Sequence, residues 1–269
     1  MSVTAIARYI SYITLLNFRA RLQYRGEFLL EVFNGVLWQS SVLLFVGVIL
    51  TQFPGVAGWS STEVLLLTSM RLLSHALYVL MFANITRVPM YIQFGNLDGY
   101  LIRPIPPYLQ ALTSSFSVSG LGDLAVAIPL LLIAVAHVAA GWGVGHFLFL
   151  VVAVIAGTLL EASVQNFIAC VSLRLPGGEI LSTWIDEVMG SFGSYPLNIM
   201  PNAVQFALTF VLPLAFATYL PASLLVGNTE LTGLPYTVAL LSPLVGVGAF
   251  LFSLRTWRKS LRLYTSPGG

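Results

Sequence analysis

Six stretches of the chain stay apolar for about the length of a bilayer crossing: Val32 to Phe53, Val64 to Thr86, Leu112 to His137, Phe147 to Leu173, Ala203 to Leu220 and Tyr236 to Thr256. A helix needs about 20 such residues to cross the hydrocarbon core. Strands of a membrane barrel would alternate in polarity over about 10 residues, and neither Val126 to Val138 nor Phe147 to Ala156 alternates. The pattern predicts an all-α polytopic membrane protein with six transmembrane helices.

Three further segments are patterned without spanning. From Val3 to Glu31, Ile6, Ile10, Ile13, Leu16 and Tyr24 recur at helical spacing with arginines largely on other faces, which predicts an interfacial helix entering the first span. Its arginines suit anionic membrane lipid, and Glu27 and Glu31, one turn apart, repel each other and would welcome a partner. Between the second and third spans, Gln93 to Gln110 packs glycines and prolines around Phe94, Leu97, Tyr100, Leu101 and Ile102. A simple turn has no need of those apolar residues, whereas a docking surface has. Asn96 is expected to cap a short helix there that Pro104 ends. The third segment, Glu179 to Met200, carries Asp186 and Glu187 in its middle and reads as an interfacial helix ending near Tyr195 and Pro196. The alternative, part of a broken span, would make seven crossings and place the termini on opposite sides.

Composition and charge sharpen this picture. Of 269 residues 57% are hydrophobic and 8% charged, with a mean hydropathy of +0.89. Soluble domains carry about 25% charged residues, so no separate water-facing domain is expected. Of the twelve basic residues, all but Arg71 flank the spans on one side: Arg8, Arg19, Arg21 and Arg25, then Arg87 and Arg103, then Arg174, then Arg255, Arg258, Lys259 and Arg262. Basic flanks stay cytoplasmic, so both termini are placed there, and the acidic links holding Glu63 and Glu230 face outward. The whole of 1–269 is expected to form one transmembrane domain: an interfacial helix over 1–31, a six-span bundle over 32–256 and a cytoplasmic tail over 257–269. The start of the chain does not resemble a removed signal peptide. Cys170 lies in an apolar run and reads as a small core residue.

Arg71, Asp123 and Glu161 each fall near the middle of a span, where an ionised side chain costs at least about 2.5 kcal/mol to insert. Pairing of Arg71 with Asp123 or Glu161 is expected, with His75 one turn from Arg71. The set forms either a polar network locking helices or the lining of a pathway. His137 and His146 lack the company that a zinc site needs, and Trp59, Trp142, Trp184, Tyr236 and Trp257 read as interfacial anchors.

The run from Gly95 to Pro104, with Leu97, Asp98, Tyr100, Leu101 and Arg103 at fixed offsets and Pro106 and Pro107 following, resembles the loop after the second span in ABC-2 type export permeases of bacteria, which carry a Gly-x-Leu-Asp-x-Tyr-Leu-x-Arg-Pro pattern. Tyr195 and Pro196, the run Leu208 to Pro213 and Tyr219 to Ala222 are similar too. The resemblance implies a permease of the bacterial cytoplasmic membrane that pairs with a second copy or a related permease and docks two separate ATP-binding subunits. Asn96, Leu97, Asp98, Tyr100, Leu101 and Arg103 would form the coupling helix that enters a groove on the ATPase. It also implies short re-entrant helices before the last span, for which Leu220 to Pro235 offers room. The chain has no phosphate-binding loop, so no cofactor is expected in it, and ATP and Mg would be held by the partner.

No nucleic-acid partner and no enzyme active site are indicated, since the chain has neither a His-Glu-x-x-His nor a Gly-x-Ser-x-Gly motif. The transported compound is expected to be small and amphipathic or lipid-like. A rival reading is a secondary transporter coupled to an ion gradient through Arg71, Asp123 and Glu161, although no matched pair of broken helices is visible.

Overall fold

A computed structural model describes residues 3–52, 55–175 and 178–265, and is built almost entirely of helices. Phe53, at the end of the first predicted span, and residues 266–269 of the predicted tail lie outside the described residues. Helix α1 (Val3–Gln23) lies against the bundle, and the chain turns at Tyr24 into α2 (Arg25–Gln52), so the interfacial segment ends earlier than its apolar pattern suggests. The Glu27 and Glu31 repulsion is relieved internally, because Arg21 reaches both carboxylates at 3.4 and 3.1 Å.

A two-residue hairpin, β1 (Gly55–Val56) and β2 (Trp59–Ser60), links α2 to α3 (Ser61–Met81). Ser60 and Glu63 close a reciprocal capping box at the start of α3, satisfying backbone donors that a helix start leaves open. A 3-10 turn (Ala83–Arg87) then leads into three short helices, α4 (Val88–Gln93), α5 (Asn96–Leu101) and α6 (Pro107–Leu112). The long helices α7 (Ser119–Val138) and α8 (Val144–Ser172) follow, then α9 (Gly178–Gly193), α10 (Asn202–Phe206), α11 (Tyr219–Leu225) and α12 (Tyr236–Leu261).

Helices α2, α3, α7, α8 and α12 are long and apolar enough to cross a membrane, and the segments Asn202–Val211 and Leu214–Leu225 form a pair bent by 74°. Close backbone approach holds the bundle together where side chains are smallest. A Cβ on Gly122 of α7 would collide with the Val32 carbonyl of α2, and one on Gly35 of α2 would collide with that of Ser119.

The fifth crossing is not the one that the apolar pattern indicates. Helix α9 starts beside the end of α8, where a Cβ on Gly178 would collide with the Ser172 hydroxyl. It passes Gln165, which bonds Ser182 and Asp186. Further along, the Met189 carbonyl accepts from Arg71 Nε at 3.3 Å and the Ser194 carbonyl from Thr68 Oγ1 at 2.9 Å. Finally Asn198 Nδ2 donates to the Ala57 carbonyl at 2.9 Å, at the far end of α3. The segment 178–198 therefore runs from one end of the bundle to the other, although its polar face disguises it. Asp186 is accommodated because Ser182, Asp186 and Met189 face α8 and α3, while Ile180 and Trp184 point outward, 68% and 70% exposed.

The predicted span Ala203 to Leu220 is instead a dip that enters and leaves at one end. Its descending limb contains a π-helical turn (Ala207–Val211) and breaks at Leu212 and Pro213. At its tip, Leu214 lies against Gly193 and Ala217 against Gly157. The chain then returns, Tyr219 packing on Trp59 at 5.6 Å and Asn228 Nδ2 donating to Glu63 Oε1 at 2.9 Å. The re-entrant element thus occupies 202–225 rather than 220–235. Among the described residues six segments run the length of the bundle, α2, α3, α7, α8, 178–198 and α12, and the described ends of the chain share one end of it, the one that carries Arg87, Arg174 and Arg255.

Candidate functional site

Two groups of residues stand out, one at mid-bundle and one at the basic end. At mid-bundle, Arg71 of α3 and Glu161 of α8 are 3% and 1% exposed. All three guanidinium nitrogens are engaged: Nη1 and Nη2 reach the two carboxylate oxygens at 2.7 and 3.3 Å, while Nε donates to the Met189 carbonyl. His75, one turn along α3, brings Nδ1 to 2.7 Å from Glu161 Oε1. The forked geometry suits a desolvated Arg–carboxylate pair. A Cβ on Gly193 would sit 2.7 Å from Arg71 Nε, so a glycine is needed where α9 passes the guanidinium.

Of the four side chains expected to associate, three meet. Asp123 of α7 is 3% exposed but, among the described residues, has no ion-pair partner within 4 Å. It lies in the tight α2–α7 contact, where its backbone nitrogen is 3.1 Å from the Cβ position of Gly35.

Beside Arg71 and His75 a cavity of about 320 Å³ opens between α2, α3 and α9, lined among others by Trp38, Gln39, Tyr78 and Asp186. A second hollow of about 240 Å³ continues from it past Phe45, Glu187 and Tyr195. The Tyr78 hydroxyl and Gln39 Oε1 are buried with no hydrogen-bond partner among the described residues. Asp186, Glu187 and Tyr195 enter this site because α9 crosses beside α3, which local hydropathy could not foretell.

At the basic end, α4, α5 and α6 fold around a small core of their own. Leu97 is fully buried there with Ile85, Val88, Tyr91, Ala111 and Trp257. Gln110 Nε2 ties the turn by donating to the carbonyls of Tyr100 and Ile105 at 2.9 and 2.7 Å. Gly95, at φ +71°, provides the left-handed residue that starts α5, so Asn96 begins the helix instead of capping it. Tyr108 packs edge-on against Trp257 at 5.6 Å, and burial raises its hydroxyl pKa well above the ordinary value. Burial and the nearby Asp98 carboxylate likewise raise that of Tyr264. The end of α12 is thereby joined to the short helices.

Of the residues expected to dock a partner, Asn96, Leu101 and Arg103 are exposed, Asp98 and Tyr100 half-buried, and Leu97 inaccessible. Leu97 therefore fastens α5 from beneath rather than forming a contact surface. Phe94 and Ile102, 69% and 88% exposed, belong to the same surface; their bulk among turn residues was the available signal. Arg103 stands 5.9 Å over the Tyr100 ring.

Several aromatic positions also differ from expectation. Trp59 and Trp257 are buried and act as core residues, whereas Trp184 and Tyr236 are exposed. Trp142 stacks on His146, and His137 Nδ1 contacts its own helix at the Ile133 carbonyl. Among the described residues, no three His, Cys, Asp or Glu side chains gather as a metal site.

A helical bundle with six crossings, a re-entrant dip and a compact elbow of short helices defines a multi-pass membrane protein of the transporter class. The model of the ABC-2 family transporter protein matches residues 36–268, and the chain belongs to that family. It is a permease subunit of an ABC transporter, a membrane component that works with an ABC ATP-binding subunit. No curated protein and no solved structure matches the chain.

Proposed function

We propose that the chain is the membrane subunit of a bacterial exporter in the cytoplasmic membrane, with both termini cytoplasmic, pairing with a second copy or a related permease. Two ATP-binding subunits dock on it and bind the ATP and Mg. The observation that carries the docking role is the elbow formed by α4 to α6. Phe94, Leu101, Ile102 and Arg103 are exposed on it, while Leu97 anchors it to a core shared with α8 and α12. A rigid elbow with an apolar crest can carry motion from a partner into those two spans.

The hollow between α2, α3 and α9 supports a small amphipathic substrate. Trp38, Phe45 and Tyr195 offer apolar walls, while Asp186, His75 and the unpaired atoms of Tyr78 and Gln39 offer polar contacts. Arg71 and His75 border this path and, joined to Glu161 behind them, form a unit that a rearrangement of α9 would disturb.

Copurification with a co-expressed ABC ATP-binding subunit from the same organism tests the reading. Wild type is expected to retain the ATPase, and Asp98→Ala, Arg103→Ala and Ile102→Asp to weaken retention or stimulated hydrolysis at equal expression. Retention and hydrolysis unchanged in all three variants would remove the elbow from the coupling role.

A further inference from the structure

A hollow larger than either of those lies outside the proposed substrate path. It is a groove of about 930 Å³ between α1 and the basic end of the bundle. Ala7, Ile10, Thr14 and Phe18 supply one wall at intervals of three and four, with Leu15 beside them, so a single face of α1 is turned to it. Leu80, Phe82, Leu112 and Phe116 are among the residues of the other wall. The helix is held over the groove rather than collapsed into it, with Asn17 Nδ2 donating to the Thr113 carbonyl at 2.7 Å and Phe18 edge-on to Phe116 at 5.1 Å. From Ala7 to Phe18 the lined face extends about 16 Å at 1.5 Å per residue, a length suited to an acyl chain.

Charge around the groove is one-sided. Helix α1 contains no acidic residue. Arg8 and Arg19 are exposed and, among the described residues, have no ion-pair partner; Arg21, by contrast, is taken by Glu27 and Glu31. On a helix, Arg8 and Arg19 fall within about 40° of Leu15, on one border of the lined face. Across the groove, Ser115 accepts from the Arg87 guanidinium at 3.1 Å.

We infer that the groove beneath α1 is a binding site for one anionic phospholipid, its acyl chain seated between α1 and the ends of α3 and α6 and its phosphate at one end of the arginine border, in the positive field that Arg8 and Arg19 set up together. Apolar walls favour the chain, and each basic side chain near a membrane surface favours an anionic headgroup. The site is independent of what the permease transports.

Native mass spectrometry of the full chain, purified into detergent with equal phosphatidylglycerol and phosphatidylcholine of matched chains, tests this. Wild type is expected to retain one phosphatidylglycerol in preference to phosphatidylcholine. Arg8→Gln/Arg19→Gln should lower that preference by about fivefold or more, and Thr14→Phe, which fills the groove, should reduce retention of both lipids. Arg258→Gln/Arg262→Gln, which removes the same charge elsewhere at that end, should leave the preference unchanged. Equal retention of both lipids by wild type, an equal loss in the Arg258/Arg262 control, or unchanged retention in Thr14→Phe would overturn the site. Should Arg8→Gln/Arg19→Gln not fold, Arg8→Lys/Arg19→Lys must keep the preference and Thr14→Phe decides the groove.

Discussion

Arg71 and Glu161 meet through two hydrogen bonds, at 2.7 and 3.3 Å, while being 3% and 1% exposed. Removing one partner strands the other without water. Glu161→Gln is expected to lose about 3–5 kcal/mol of stability, whereas replacing both, as Arg71→Met/Glu161→Leu, should recover much of it. Thermal unfolding in detergent measures both. A double variant as unstable as Glu161→Gln would show that the two do not act as a unit. Transport assayed on a stable double variant then separates a helix lock from a moving part.

The course of α9 can be read from outside the molecule. In a Cys170→Ala background, Glu179→Cys and Asn198→Cys should be labelled by an impermeant maleimide from opposite faces of the membrane. An interfacial helix would expose both to the same side, so common-side labelling would refute the crossing.

Two glycines should behave in opposite ways. Gly122→Val drives side-chain atoms into the Val32 carbonyl of α2, and should sharply lower the yield of folded, monodisperse protein. Gly26→Ala, in the first turn of α2 with nothing within 4 Å of the new methyl, should be neutral or stabilising by up to about 1 kcal/mol. Size-exclusion profiles and melting temperatures of the two variants make the comparison.

In the elbow, Leu97→Ala and Ile102→Ala remove similar alkyl volume from positions of opposite burial. The first empties a fully buried position and should cost about 2–5 kcal/mol, seen as earlier proteolysis between Gln93 and Gln110. The second should leave proteolysis unchanged. Equal protease sensitivity of the two would contradict the burial of Leu97.

Five of the six spans and the elbow are legible in the chain because their signals are local. Helix α8 is apolar over most of its length, so no choice of face is needed to recognise it, and the Gly95 to Pro107 run breaks helices wherever it is placed. Local hydropathy misplaces the remaining crossing. It sums polarity along the chain, whereas membrane cost depends on which face a polar side chain takes. Asp186 is tolerated because Gln165 receives it, and Gln165 is 21 positions away. Conversely, the apolar run at 203–220 does not span because Leu212 and Pro213 fold it back, and because Gly157 and Gly193 leave room for its tip.

An all-helical membrane protein, the end at which its basic residues gather and a proline-bounded elbow all follow from the chain read alone, since composition and local backbone restriction act without regard to distant partners. That Arg71 takes Glu161 and not Asp123, that Leu97 faces inward while Ile102 faces out, and that α9 crosses the bundle were settled only by folding. Each of those outcomes depends on which helices become neighbours, and that is set by close packing across the bundle rather than by any single segment.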